Sequence, residues 1–175
     1  MSTTLIMGGV KSGKSVLAET LASQSELSVH YIATASADDD EMHARIDSHR
    51  QRRPAHWQTI ESPLHLAADI QRYAIKDHCV LVDCLTLWLS NLLMTEDDEL
   101  LQQELDNLVN SIKEVKGELI MVSNETNMGI IPLGELTRRY CDEVGILHQR
   151  LAQQCDTVVL TVAGLPHILK GQLND

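Results

Sequence analysis

The residues Gly8-Gly9-Val10-Lys11-Ser12-Gly13-Lys14-Ser15 match G-x-x-x-x-G-K-[ST] at every fixed position. Glycines in such a turn let backbone N–H groups curl around phosphate oxygens, and the following helix adds the partial positive charge of its N-terminus. In that arrangement Lys14 reaches the β- and γ-phosphates, and the Ser15 hydroxyl coordinates Mg²⁺. The flanks agree with the motif. Thr4–Met7 is a short apolar run suited to a buried strand, and Leu17 and Leu21 stand one helical turn apart after the loop. The expectation is a nucleoside triphosphate held in this cradle.

Two further groups could do chemistry beside it. Asp83 ends the apolar run Cys79-Val80-Leu81-Val82, where a carboxylate could hold Mg²⁺ directly or through water; the plainer alternative is a cap for the next helix. Arg45, Arg50, Arg52 and Arg53 put four arginines within nine residues of a chain whose net charge is −11. On a helix, Arg45, His49 and Arg52 share one face. Neighbouring guanidinium groups disfavour the imidazolium, so His49 would stay neutral and nucleophilic. Arginine forks around phosphate oxygens beside a neutral histidine suit attack on phosphorus. A solvated basic helix face with a bystander histidine is the competing reading. His30, His43, His56, His65, His78, His148 and His167 have no comparable setting and are expected in ordinary core or surface roles.

The elements that must position these groups alternate along the chain. Strands are expected at Thr4–Met7, Val29–Ala35, Trp57–Glu61, Cys79–Cys84, Glu118–Ser123 and Thr157–Val162. Helices are expected after the glycine-rich loop and from about Asp38 to Arg53, where Pro54 ends the helix. Further helices are expected from a Ser62 cap with Pro63 first to about Lys76, and over Leu87–Met94, Glu99–Lys116 and Pro132–Gln154. In the last of these Leu133, Leu136, Tyr140, Val144, Leu147 and Leu151 form one stripe, and Gly164-Leu165-Pro166 closes the chain as a turn. Alternation of this kind implies one α/β domain over residues 1–175, a phosphate-loop fold with a mostly parallel sheet and helices on both faces. Ligands in such sheets lie at the carboxyl ends of the strands, which adds Ala33, Thr34, Ala35 and Glu61 to the neighbourhood.

Composition narrows the partners. The negative net charge argues against general nucleic-acid or anionic-membrane binding. No apolar run approaches the roughly 20 residues that cross a bilayer, and no secretory signal is recognisable. Cys79, Cys84, Cys141 and Cys155 lack C-x-x-C or zinc spacing, which suits free, buried thiols in a reducing cytoplasm. Phenylalanine is absent, so Leu, Ile, Val and Met must supply the core.

The sequence resembles, nearly end to end, the bifunctional adenosylcobinamide kinase/adenosylcobinamide-phosphate guanylyltransferase family of cobalamin biosynthesis. The resemblance rests on Gly8 to Ser15, Tyr31-Ile32-Ala33-Thr34-Ala35, Asp39-Asp40-Glu41-Met42 and Arg45-Ile46 with His49-Arg50 and Arg53-Pro54-Ala55-His56-Trp57. It continues through Val82-Asp83-Cys84-Leu85-Thr86, Ser90-Asn91-Leu92-Leu93, Ser123-Asn124-Glu125, Met128-Gly129-Ile130-Ile131-Pro132 and Gly164-Leu165-Pro166. It implies a two-step enzyme. Adenosylcobinamide, a corrinoid, is phosphorylated on its aminopropanol hydroxyl by ATP or GTP, and GMP then passes from GTP to that phosphate through a guanylyl-histidine. The family's guanylylated histidine falls on His49. Its GTP-binding positions fall on Gly8, Gly9, Val10, Lys11, Ser12, Gly13, Lys14 and Ser15, on Ala33, Thr34 and Ala35, on Arg50, Gln51, Arg52 and Arg53, and on Glu61 and Asp83. The family's trimers imply a homo-oligomer whose neighbouring subunits share an active site.

Two departures stand out. Lys11 replaces the family's usual arginine, and Thr126-Asn127 replaces the usual valine and glycine. The first keeps charge and loses a planar fork; the second bears on the corrinoid side if that loop lines it. Two other functions remain to be weighed. A single-activity small-molecule kinase would use the arginine stretch only as a substrate clamp. A nucleotide switch would need a guanine-recognition N-K-x-D, which the sequence lacks. Neither would retain covalent GMP, so a label from α-phosphate-labelled GTP that survives denaturation separates them from the bifunctional enzyme.

Overall fold

The computed structural model describes residues 1–35 and 53–173. Its strands are β1 (Ser2–Gly8), β2 (Ser28–Ala33), β3 (Gln58–Glu61), β4 (His78–Asp83), β5 (Glu118–Asn124), β6 (Thr157–Val162) and β7 (Leu165–Lys170). Its α-helices are α1 (Lys14–Gln24), α2 (Leu66–Tyr73), α3 (Leu85–Met94), α4 (Asp98–Ser111) and α5 (Glu135–Gln154), with a 3₁₀ turn at Ile112–Glu114. Among the described residues the strands form one sheet in the order β3-β2-β4-β5-β1-β6-β7. Every pairing is parallel except β6 with β7. The α/β fold with a mostly parallel sheet is the expected one.

Strand periodicity sorts side chains onto two covered faces. Ile6, Tyr31, Leu81 and Ile120 point toward α1, where they meet Ala18 and Ala22. Leu5, Met7, Ile32, Val80, Val82, Leu119 and Met121 point the other way, into a larger core with Trp88, Leu92, Leu105, Leu108, Val144, Leu147 and Leu151. Coverage on both sides explains why β1, β4 and β5 read as continuous apolar runs. Trp88 centres the larger core: it is fully buried, and its indole N–H donates to the Leu64 carbonyl at 2.6 Å. Trp88→Ala is expected to cost roughly 3–5 kcal/mol of unfolding free energy, read as a lower urea midpoint.

Several boundaries differ from expectation, each for a visible reason. The helix expected to begin at Ser62-Pro63 begins at Leu66 and ends at Tyr73 rather than near Lys76. Tertiary bonds hold the preceding bend out of the helix: the Ser62 N–H donates to Ala33 O, and the Pro63 and Leu64 carbonyls accept from Asn91 and Trp88. The Ala74 carbonyl turns away to accept from the Lys116 and Gly117 N–H groups. The helix of the acidic stretch starts at Asp98, where the Asp97 carboxylate caps the Leu100 N–H, and stops at Ser111, three residues before the end of a 3₁₀ turn.

α5 starts at Glu135, not Pro132, which leaves Leu133 outside the helix; Leu133 and, in the first turn, Leu136 are exposed, while Val144, Leu147 and Leu151 are buried. The Arg138 guanidinium reaches back to the Pro132 and Leu133 carbonyls and holds that entry outside the helix. Beyond β6 the expected turn opens a further strand. Ala163 and Gly164 both have positive φ, the geometry of a two-residue hairpin turn, and β7 returns antiparallel along the sheet edge. Pro166 is tolerated there because an edge strand needs fewer donors. The helix expected over 38–53 lies outside the described residues. All four cysteines are free; Cys79, Cys84 and Cys155 are buried and Cys141 is partly exposed.

Candidate active site at the carboxyl edge of the sheet

The glycine-rich loop follows β1 and delivers Lys14 and Ser15 as the first residues of α1. Close packing requires its glycines. A Cβ on Gly8 would lie 2.4 Å from the Thr161 carbonyl oxygen, and Gly13 has φ +102 with the backbone of Gly164 against it. The Ser12 N–H donates to Gly9 O at 3.2 Å, and the Gly164 N–H donates to Ser12 O at 2.9 Å. The β6–β7 turn therefore braces the loop from behind. Lys14 is buried, and its ammonium donates to Gly9 O at 2.7 Å. Burial pushes its pKa down, with the nearby Cys84 and Asp83 opposing. A phosphate at this position would add counter-charge to the buried ammonium.

Asp83 ends β4 in register with Ala33, and Ala33 is in register with Glu61 at the end of β3. Gly8 pairs with Asn124 at the end of β5. One edge of the sheet thus collects the loop, Ala33, Asp83, Glu61 and Asn124. The half-buried Asp83 carboxylate accepts from the Tyr31 hydroxyl at 3.0 Å. Over the face of the same Tyr31 ring lies the Arg53 guanidinium, 3.6 Å from its centroid. Burial is the main cause that pushes the Tyr31 phenol pKa far up, with the Asp83 charge adding and Arg53 opposing, so Tyr31 remains a donor.

The Thr34 hydroxyl is buried and closes a ring with the backbone of Cys84, donating to its carbonyl at 2.7 Å and accepting its N–H at 2.9 Å. Asn91 of α3 donates to Thr34 O, and the Thr86 hydroxyl accepts from both nitrogens of Asn124. The Glu125 N–H donates to Gly8 O at 2.9 Å, tying the loop after β5 to the phosphate loop.

Of the residues expected from sequence, the structure gathers Gly8 to Ser15, Ala33, Thr34, Ala35, Arg53 and Asp83 in this region, with Glu61 exposed on its outer side. Lys11 is exposed with a left-handed φ of 55. His49, Arg50, Gln51 and Arg52 lie outside the described residues, as do Arg45 and His43. Tyr31 was missed as a site residue. Its signal was strand parity, because Tyr31 and Ala33 share a face and Ala33 is the neighbour of Asp83. Asn91, Thr86 and Asn124 were quoted only for their family pattern and had no assigned role.

The other described histidines take structural places. His148 is buried and hydrogen-bonds the Ser123 hydroxyl at 2.7 Å, with burial lowering its pKa and Glu125 opposing. His30 and His78 meet each other at 2.6 Å on the opposite edge. In the loop that departs from the family pattern, the Asn127 amide donates to the Cys141 carbonyl at 2.8 Å and fastens the loop to α5.

The oxygen donors suit one metal type. Ser15 offers a hydroxyl at the start of α1 and Asp83 a carboxylate at the end of β4. Few protein oxygens, completed by phosphates and water, is how Mg²⁺ is held, whereas zinc wants a closed nitrogen and sulfur set.

A phosphate loop on β1 and a carboxylate on β4, with β5 between them in a parallel sheet, define a P-loop nucleotide-binding protein of the NTPase type. Solved structures carry the same fold. A RadB recombinase superposes with a TM-score of 0.54 at 14% identity, over 91% of this chain and 73% of that one. A Pyrococcus horikoshii protein solved as Project ID PH0250 gives 0.55 at 13%, over 99% and 88%.

Sequence similarity is narrower. The family model described as cobinamide kinase / cobinamide phosphate guanyltransferase matches residues 4–169. The bifunctional adenosylcobalamin biosynthesis protein CobP of Pseudomonas aeruginosa is 56% identical, over 96% of this chain and 97% of that protein. The corresponding CobU proteins of Salmonella typhimurium and Escherichia coli are each 37% identical, over 92% of this chain and 96% of theirs. The chain belongs to the cobinamide kinase / cobinamide phosphate guanyltransferase family. It is accordingly a transferase with nucleotide-dependent kinase and guanyltransferase functions. No helix among the described residues is long and apolar enough to cross a membrane.

Proposed function

We propose that one domain, residues 1–175, carries both steps of a corrinoid modification in cobalamin biosynthesis. In the first, the aminopropanol hydroxyl of adenosylcobinamide attacks the γ-phosphorus of ATP or GTP, forming the phosphate ester and releasing the nucleoside diphosphate. In the second, a ring nitrogen of His49 attacks the α-phosphorus of GTP; a P–N bond forms and pyrophosphate leaves. An oxygen of adenosylcobinamide phosphate then attacks the same phosphorus, the P–N bond breaks, and adenosylcobinamide-GDP is released with His49 restored. The observation that carries this reading is the meeting of Lys14, Asp83 and the Tyr31–Arg53 pair at one sheet edge, within a family match spanning nearly the whole chain.

The chain's own groups divide the work. Backbone N–H groups of Gly9 to Ser15 and the α1 N-terminus bind the phosphates, and Lys14 opposes the charge that builds on them. Arg50, Arg52 and Arg53, with Gln51, hold the triphosphate for His49, while Ala33, Thr34, Ala35 and Glu61 shape the nucleotide's surroundings. Ser15 and Asp83 would hold Mg²⁺, which neutralises phosphate charge when bound. The loop from Asn124 to Pro132 is the side offered to the corrinoid. Assembly as a homotrimer, with neighbouring copies completing the site, and a cytoplasmic location belong to the same reading.

Asp83→Asn keeps shape and removes charge. Its folded fraction and melting temperature are expected to stay close to wild type, while turnover falls by roughly tenfold or more and the Mg²⁺ titration flattens. An unchanged Mg²⁺ titration would make Asp83 a structural acid. The reading as a whole is tested by mass spectrometry of adenosylcobinamide incubated with the protein, Mg²⁺, ATP and GTP. Sequential gain of a phosphate and then of GMP is expected; an unmodified corrinoid with both nucleotides present would defeat it.

A further inference from the structure

β5 runs between β1, which carries the phosphate loop, and β4, which ends in Asp83. The chain leaving β5 therefore emerges between the cradle and the carboxylate assigned to the cation. Its first residue beyond the strand is Glu125, whose N–H donates to Gly8 O at 2.9 Å. That bond pins Glu125 to the first glycine of the loop. The Glu125 side chain meets His148 of α5, with Oε2 3.8 Å from Nδ1. His148 Nε2 in turn hydrogen-bonds the Ser123 hydroxyl at 2.7 Å. The Asn127 N–H donates to Glu125 Oε1 at 2.7 Å, and the Asn127 amide fastens that turn to α5.

Serine, histidine and glutamate in this order could form a nucleophilic triad, and burial rules that out. Ser123 is fully buried, so no substrate reaches its hydroxyl. Burial also pushes the His148 pKa down, with the Glu125 charge opposing, so the imidazole is neutral at neutral pH. The acid end is the open one, because the Glu125 side chain is 16% exposed. The network serves the carboxylate. A carboxylate accepts at about four lone-pair sites, so the Asn127 N–H and the neighbouring imidazole orient Glu125 and leave it acceptor capacity.

Phosphorylation of an alcohol is the step that must take a proton from its acceptor. In the guanylyl step an imidazole attacks with its lone pair, and the acceptor phosphate is already ionised. Asp83 is assigned to Mg²⁺, and Glu61 ends β3, four strands away from β1. Glu125 stands against the phosphate loop, and Met128, Ile130 and Ile131 beyond it are exposed on the side offered to the corrinoid. We propose that Glu125 is the general base of the phosphorylation step, taking the proton of the aminopropanol hydroxyl as its oxygen attacks the γ-phosphorus. The new O–P bond forms, the bond from the γ-phosphorus to the bridging oxygen breaks, and the nucleoside diphosphate leaves. The proton held by Glu125 then passes to water. This rests on the two-step reading above and gives a role to an acid outside the phosphate loop.

The experiment follows three reactions of the full-length protein. They are phosphorylation of adenosylcobinamide by ATP or GTP, adduct formation from α-labelled GTP alone, and GMP transfer to supplied adenosylcobinamide phosphate. Glu125→Gln keeps the shape and an acceptor for the Asn127 N–H, and it cannot take a proton. Its kcat for phosphorylation is expected to fall by about a hundredfold or more, with KM for the corrinoid near wild type. The adduct and its transfer are expected at wild-type rates. Glu125→Asp retains a base on a shorter arm and is expected to phosphorylate faster than Glu125→Gln. A Glu125→Gln protein with wild-type kcat for phosphorylation would overturn the proposal. So would equal loss of all three reactions, a loss carried by KM alone, or a Glu125→Asp protein no faster than Glu125→Gln. Wild-type protein that leaves adenosylcobinamide unphosphorylated would instead remove the functional reading on which the proposal rests.

Discussion

Lys14→Ala is expected to lose phosphorylation and guanylyl transfer together, each by at least about a hundredfold. In the proposed mechanism both steps act on phosphate oxygens held in one cradle, beside which the Lys14 ammonium is buried. The loss should not come from unfolding. Burial holds the pKa of Lys14 below its unfolded value, so the charged form is disfavoured in the folded state. Removing the side chain therefore relieves a cost present at neutral pH, where the unfolded lysine is protonated. A melting temperature at or above wild type, with both activities gone, is the expected pair of results. Survival of both activities in Lys14→Ala would place the nucleotide elsewhere.

His49→Ala is expected to divide the two chemistries. Guanylyl transfer through an enzyme intermediate needs a nucleophile that attacks phosphorus and later leaves, and a neutral imidazole does both. Direct phosphoryl transfer to a hydroxyl needs positioning and charge stabilisation but no such nucleophile. The variant should form no covalent GMP adduct and no adenosylcobinamide-GDP, while still phosphorylating adenosylcobinamide. His56 provides the control: it is near in sequence, exposed, and lies beyond Pro54. His56→Ala should retain both steps. An acid-labile GMP adduct on His49→Ala protein would transfer the role to another residue, with His56 tested next.

Much of this site could be read from the chain because its rules are local. The phosphate loop is a contiguous pattern with its strand and helix on either side, and the structure builds all three as expected. Asp83 was legible as the one acid closing an apolar strand. Tyr31 was not, because its meaning comes from a neighbour 52 residues away that only sheet register brings close. The start of α2 was misplaced for a similar reason: Ser62-Pro63 carries a local helix signal, and bonds to Ala33 and Asn91 override it.

The apolar stripe assigned to α5 began too early: Leu133 lies in the entry that Arg138 holds outside the helix, and Leu136, in the first turn, stays exposed. β7 escaped because its residues are exposed throughout, so no burial alternation marks them, and because a proline argues against a strand anywhere but an edge. The basic stretch around His49 is a different case. Its assignment rests on residue chemistry and family pattern, and Arg53, at the boundary of the described residues, lies over Tyr31 beside Asp83.

The most direct test of the account is to trap the intermediate on the unaltered protein. The chain is incubated with Mg²⁺ and GTP labelled at the α-phosphate, without corrinoid, then denatured, digested under alkaline conditions and mapped by mass spectrometry. The expected result is one GMP per labelled chain, on the peptide containing His49, through a bond that survives alkali and is lost in acid. No retained label, or a label that tolerates acid and maps to a serine, would contradict the central claim.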